Sequence, residues 1–142
     1  MPSPVTEVRP ADSVSALEHF QRGLEFETDC WDVHQALAHA PDFVLIDVRS
    51  PENFDRAHVP GAVNIPHRKI IGSRMAAYPA DSVFVLYCAG PHCNGAQRGA
   101  IRLARLGLPV KIMVGGMTGW CDEGFAVQRG LKSAAGAGRV AS

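Results

Sequence analysis

Cys88 stands where the apolar run Val83-Phe84-Val85-Leu86-Tyr87 gives way to Ala89-Gly90-Pro91-His92-Cys93-Asn94-Gly95, ahead of a helix-like stretch. That order predicts a thiol at the end of a buried strand, in a tight loop facing the N-terminus of the next helix. Loop and helix N–H groups point inward at such a place, and the helix dipole favours an anion, so the thiolate gains stability. The thiolate is the nucleophile, and the position reads as chemistry before it reads as packing. Cys93 follows five residues later on the same loop. A disulfide or a hand-over of sulfur between the two is conceivable at that spacing. The simpler expectation turns Cys93 into the core below the loop, where it never meets Cys88. His92 is a candidate for orienting a donor or supporting the thiolate, and equally a solvent-facing loop residue.

Other chemistries fit poorly. A cysteine phosphatase or arsenate reductase needs an arginine six residues after its cysteine to hold the oxyanion bidentately. Asn94 stands there relative to Cys88, and Gly99 relative to Cys93. A Cys-x4-Cys pair on a strand-to-helix loop does not match the paired knuckles of structural zinc sites, so no metal is expected. Asp47 and Glu52 do not make an acid–base pair: Asp47 suits Arg49 or nearby N–H groups, and Glu52 suits a helix N-terminus. Cys30 and Cys121 are expected to be small buried hydrophobes, and Trp31 and Trp120 packing residues.

The surrounding elements must position the thiol. Val14, Leu17, Phe20 and Leu24 recur at helical spacing over 13–24, a stripe that would cover the domain's own sheet or close a homodimer. Asp29 can cap a helix holding Val33, Ala36 and Leu37, ended by Pro41. Phe43 to Val48 is a near-continuous apolar run of the central-strand kind. Ser50-Pro51 starts a short helix to Ala57, a turn follows at 58–62, and Val63 to Ile65 is a short strand. A weaker helical stretch runs over 67–78. Asn94 to Leu106 is the helix after the cysteine loop, with Gly107 at its C-terminal end, and Val110 to Val114 a further strand. Strands alternating with helices imply right-handed βαβ units and a parallel sheet covered on both faces. Active sites in such sheets lie beyond the carboxyl ends of the strands. Cys88, the Asp47–Arg49 pair and Gly115-Gly116 each sit at one such end.

Three separated pieces resemble the single-domain rhodaneses, a sulfurtransferase family. They are Asp47 to Phe54 with Ala57 to Pro66; Val85-Leu86-Tyr87-Cys88; and Val114-Gly115-Gly116-Met117-Thr118-Gly119-Trp120. Their order and spacing are preserved over Phe43 to Phe125. The resemblance implies a three-layer α/β/α fold with a mostly parallel central sheet. It also implies a mechanism in which Cys88 takes the outer sulfur of a donor such as thiosulfate, becomes a persulfide, and yields that sulfur to a thiol, cyanide or protein acceptor. By the same resemblance Asp47 and Arg49 form an ion pair at a strand end, and His58 and Gly61 shape the turn beside the site. Gly115 and Gly116 let the backbone pass close to the pocket. The chain departs from the family in its cysteine loop, which is about two residues longer than the short family form and carries a second cysteine, Cys93. Many active members carry Arg or Lys after the cysteine, whereas residues 89–94 here bring no permanent positive charge. Arg98, one turn into the helix, could reach back to supply it. The neutral loop keeps a second reading alive: a non-catalytic module that binds a partner or senses redox state through Cys88 and Cys93.

The bulk numbers are consistent with one domain. The 142 residues are 46% hydrophobic and 20% charged, with 14 basic residues balancing 14 acidic ones. Neither nucleic acid nor an anionic membrane is therefore expected as the main partner. The start has no apolar core of a signal peptide, and no apolar stretch approaches a bilayer span, so a cytoplasmic protein is expected. No cofactor is implied, because the cysteine itself would carry the sulfur. The expected division is a helical extension over 1–27, the rhodanese-like domain over 28–129, and a flexible tail over 130–142.

Overall fold

A computed structural model of the chain describes residues 1–131. The expected flexible tail lies almost wholly outside the described residues. Five strands form one sheet, each pairing parallel: β1 (Glu27–Asp29), β2 (Val44–Asp47), β3 (Val63–Asn64), β4 (Phe84–Tyr87) and β5 (Val110–Val114), in the order β1-β5-β4-β2-β3. The helices are α1 (Ser13–Phe26), α2 (Cys30–Leu37), α3 (Pro51–Arg56), α4 (Gly72–Met75), α5 (Gly95–Arg105) and α6 (Gly116–Asp122).

Side chains alternate across the pleat, so each strand feeds two cores. Leu45, Val85, Tyr87 and Met113 pack with Phe54, Met117 and Trp120 on one face. Ile46, Phe84, Leu86 and Cys88 pack with Ile65, Ile70, Ala96 and Leu103 on the other. With both faces covered, the sheet is the middle of three layers, as expected.

Local chemistry sets the helix ends. Asp12, Asp29 and Ser50 accept hydrogen bonds from the N–H groups of Ser15, Asp32 and Asn53, so each caps a helix. Past α5, the Gly107 N–H donates to the Ala104 carbonyl and the Leu108 N–H to the Leu103 carbonyl. With Gly107 at φ 78°, this is a Schellman ending that only a residue at ease with positive φ closes without strain.

Several expectations need correction. Glu27-Thr28-Asp29 forms an edge strand that carries no apolar signal, and the sheet begins one residue inside the expected extension. The weak helix over 67–78 is instead a 3-10 turn (His67–Lys69) and a single-turn helix. β-branched Ile70 and Ile71, both in extended backbone, interrupt it. Cys121 is exposed, because α6 turns its neighbours Met117 and Trp120 inward. Trp31 is also exposed; it lies at the domain rim, where its indole N–H donates to Glu123 and its ring meets Phe125 edge-on. On α1, Val14, Leu17, Phe20 and Leu24 are 60–80% exposed, so the stripe does not cover the sheet. No helix among the described residues is long and apolar enough to cross a membrane.

Candidate active site

β4 delivers Cys88 to the carboxyl edge of the sheet, and the loop after it is fastened to the start of α6. The Met117 N–H donates to the Cys88 carbonyl at 2.9 Å and the Thr118 N–H to the Ala89 carbonyl at 2.8 Å. The Thr118 hydroxyl adds a 2.9 Å bond to the same Ala89 carbonyl. This contact requires glycine. A Cβ on Gly116, at φ 59°, would lie 2.5 Å from the Cys88 carbonyl oxygen and 2.9 Å from the Gly90 nitrogen. Gly95 plays the matching part on α5, where a Cβ would lie 2.7 Å from the Cys88 sulfur. The thiol therefore rests directly against the first residue of α5, at the positive end of its dipole.

Cys93 is not turned into the core. It is exposed and disulfide-bonded to Cys88, with Cα atoms 6.5 Å apart. The Cys93 N–H donates to the Gly90 carbonyl at 3.2 Å, a turn that folds the loop back so that the two sulfurs meet. The Gly95 N–H points at the Cys93 sulfur at 3.5 Å. Cys30 is a different kind of cysteine: buried under β5, its thiol is pushed up to about 11 by burial first and by Asp29 and Glu123 next. It stays protonated and inert.

A cavity of about 270 Å³ opens at the two sulfurs, between Gly90, Pro91, Gln97, Ile112 and Gly116. The charged residue on its wall is Glu27, an anion. Sequence reasoning missed Glu27, because β1 gave no signal. Thr118 was legible only as part of the Val114–Trp120 piece. Arg98 is not on the wall of this cavity: its Nε donates to Asn94 Oδ1 at 3.1 Å, and it lines a separate groove along α5. His92 is exposed and off the cavity wall, which leaves the solvent-facing alternative.

The other expected residues brace the strand ends rather than the sulfur. Arg49 grips Asp47 with Nε at 3.0 and 3.1 Å and Nη2 at 2.7 Å. Its Nη2 also donates to the Ala57 carbonyl at 2.6 Å. Asn64 ties the Asp47 and Arg49 carbonyls together, both at 3.0 Å. The Val48 N–H donates to the Tyr87 carbonyl, fixing this brace beside Cys88. His58 is fully buried, stacked on Phe54 at 3.7 Å, with Nδ1 2.8 Å from the Phe54 carbonyl. Burial holds its pKa below the ordinary value, so at neutral pH it is an uncharged Nδ1–H donor and a turn brace.

A parallel, doubly covered sheet with a cysteine loop at the carboxyl end of its central strand defines an α/β domain with a cysteine pair at the head of a helix. The model of the "Rhodanese-like domain" family matches residues 31–123. The chain belongs to the rhodanese-like domain family. The solved BH2092 protein of Bacillus halodurans superposes with a TM-score of 0.80 at 32% identity, covering 84% of this chain and 88% of that one. An HTH-type transcriptional regulator of Mycobacterium tuberculosis is 38% identical over 64% of this chain and 40% of its own length. A sulfurtransferase of Allochromatium vinosum is 34% identical over 44% of this chain and 57% of its own. The chain thus spans well under two thirds of either curated relative.

Proposed function

We propose that the protein is a sulfurtransferase in which Cys88 carries the sulfur and Cys93 resolves it. The observation that supports this reading is the meeting of the Cys88 and Cys93 sulfurs at the start of α5. The Cys88 thiolate attacks the outer sulfur of a sulfane donor and the donor's remainder leaves with the electron pair, as sulfite does from thiosulfate. The product is a Cys88 persulfide, lying where the helix dipole favours its charge. A thiolate or cyanide acceptor can take the outer sulfur and restore the Cys88 thiolate.

The second cysteine opens another exit. The Cys93 thiolate attacks the inner sulfur of the protonated persulfide and hydrosulfide leaves. A Cys88–Cys93 disulfide remains, which an external thiol reduces in two exchange steps. Glu27 on the cavity wall and the lack of a loop cation disfavour a dianionic donor, so an uncharged or singly charged sulfane donor fits better. The same disulfide supports a second reading, a redox-sensing module in which the pair opens and closes without carrying sulfur.

Reduced protein is incubated with thiosulfate or 3-mercaptopyruvate and followed by intact mass and peptide mapping. The expected result is one added sulfur on Cys88 in Cys93→Ser, none in Cys88→Ser, and released sulfide with a Cys88–Cys93 disulfide in the unsubstituted chain. Absence of an adduct from every donor, with the disulfide still forming under oxidant, would hand the site to the redox reading.

A further inference from the structure

Along α5, outside the cavity at the sulfurs, runs a groove of about 670 Å³, walled by His67, Arg68, Asn94, Arg98, Arg102 and Arg105. Arg98, Arg102 and Arg105 stand at successive turns on one helix face, covering about 10 Å of axis. Arg68 faces them from the 3-10 turn. Among the described residues none of these four guanidiniums pairs with a carboxylate. In a chain whose charges balance overall, four cations have been gathered into one concavity without counter-ions from the protein.

A second observation points the same way. The Nδ1 of His67 is buried without a hydrogen-bond partner among the described residues. Burial first, then Arg68, Arg102 and Arg98, hold the His67 pKa below its ordinary value. An anion in the groove relieves the crowded like charges, and its negative charge offsets the arginines that hold the His67 pKa down.

We propose that this groove is a binding site for a small ligand carrying two phosphate groups. Arginine forks match phosphate oxygens in pairs. A phosphate monoester carries about −1.5 to −2 at pH 7, so two of them balance four guanidiniums. Ile101 supplies the little apolar surface present, so charge does the recognising. A nucleic acid would need a longer basic track than three helical turns. The groove shares no lining residue with the cavity at the cysteines, and the proposal does not rest on the sulfur chemistry.

Titration calorimetry with inorganic pyrophosphate at about 0.15 M ionic strength, paired with amide NMR, tests this. The expected result is one site per chain, with shifts centred on His67, Arg68 and residues 98–105. Arg102→Gln is expected to weaken binding by about tenfold or more, and Arg102→Lys to recover only part of it. Both positions used for substitution, Arg68 and Arg102, are exposed, so the variants keep the fold. No binding at millimolar pyrophosphate, or binding unchanged in Arg68→Gln/Arg102→Gln, overturns the proposal. Tighter binding of an acidic peptide or of an oligonucleotide than of pyrophosphate also overturns it and assigns the groove to a macromolecule.

Discussion

Asp47 is wholly buried, a position a carboxylate tolerates because the Arg49 fork and the Arg49 N–H meet its oxygens. Removing one partner strands the other, which is the costly case for buried pairs. Asp47→Asn is therefore expected to lower unfolding free energy by about 3–5 kcal/mol in urea titrations. At Glu27 the expected effect is on substrate rather than on stability. If a thiosulfate reaction is measurable, Glu27→Gln should lower its KM by roughly two- to fivefold, an effect that fades with added salt. A KM that does not move would mean the anion approaches by another route. At this scale the sequence made Cys88 legible, since strand, glycine loop and helix start follow one another in a single stretch. Arg98 was not legible: the helical periodicity places it one turn in, but its direction depends on where Asn94 and the 3-10 turn lie in three dimensions.

Among the elements, β2 and β4 could be read because buried central strands are continuous apolar runs. β1 could not, since its three polar residues join the sheet only by extending β5. With β1 went Glu27 and the knowledge that the cavity carries a negative wall. The loop-to-α6 junction was legible as a glycine pair, though its reason, the close passage of the Cys88 carbonyl, emerges only from the packed structure. Gly116→Ala combines a positive φ with a backbone clash. It should destabilise the protein by more than about 2 kcal/mol and slow any Cys88 reaction, read by urea titration and by the rate of thiol alkylation. Gly124, with open space around it, is the control, where alanine meets only the φ cost.

For the molecule as a whole, buried His58 links stability to pH. Its folded pKa lies below its unfolded one, so the unfolded chain takes up the proton first. The stabilisation it allows is complete above the unfolded value of about 6.5 and is lost as pH falls from there toward the folded value. Thermal unfolding between pH 7.5 and 5 should show a falling Tm, and His58→Gln should flatten that fall even though it lowers Tm at neutral pH. An equally steep fall in the variant would place the proton uptake elsewhere, with His67 the next group to test.

The anchoring of the cysteine loop is lopsided. Its first two carbonyls, those of Cys88 and Ala89, are bonded to the amides of Met117 and Thr118, whereas the Cys93 arm is held by one turn bond, a long contact from the Gly95 N–H to its sulfur, and the link to Cys88. Reduction should therefore divide the loop into a fixed jaw and a moving one. In deuterium exchange, the amides of Met117 and Thr118 would stay protected after reduction while that of Cys93 speeds up. A substrate would then meet a cysteine that keeps its place while its partner swings aside to admit it.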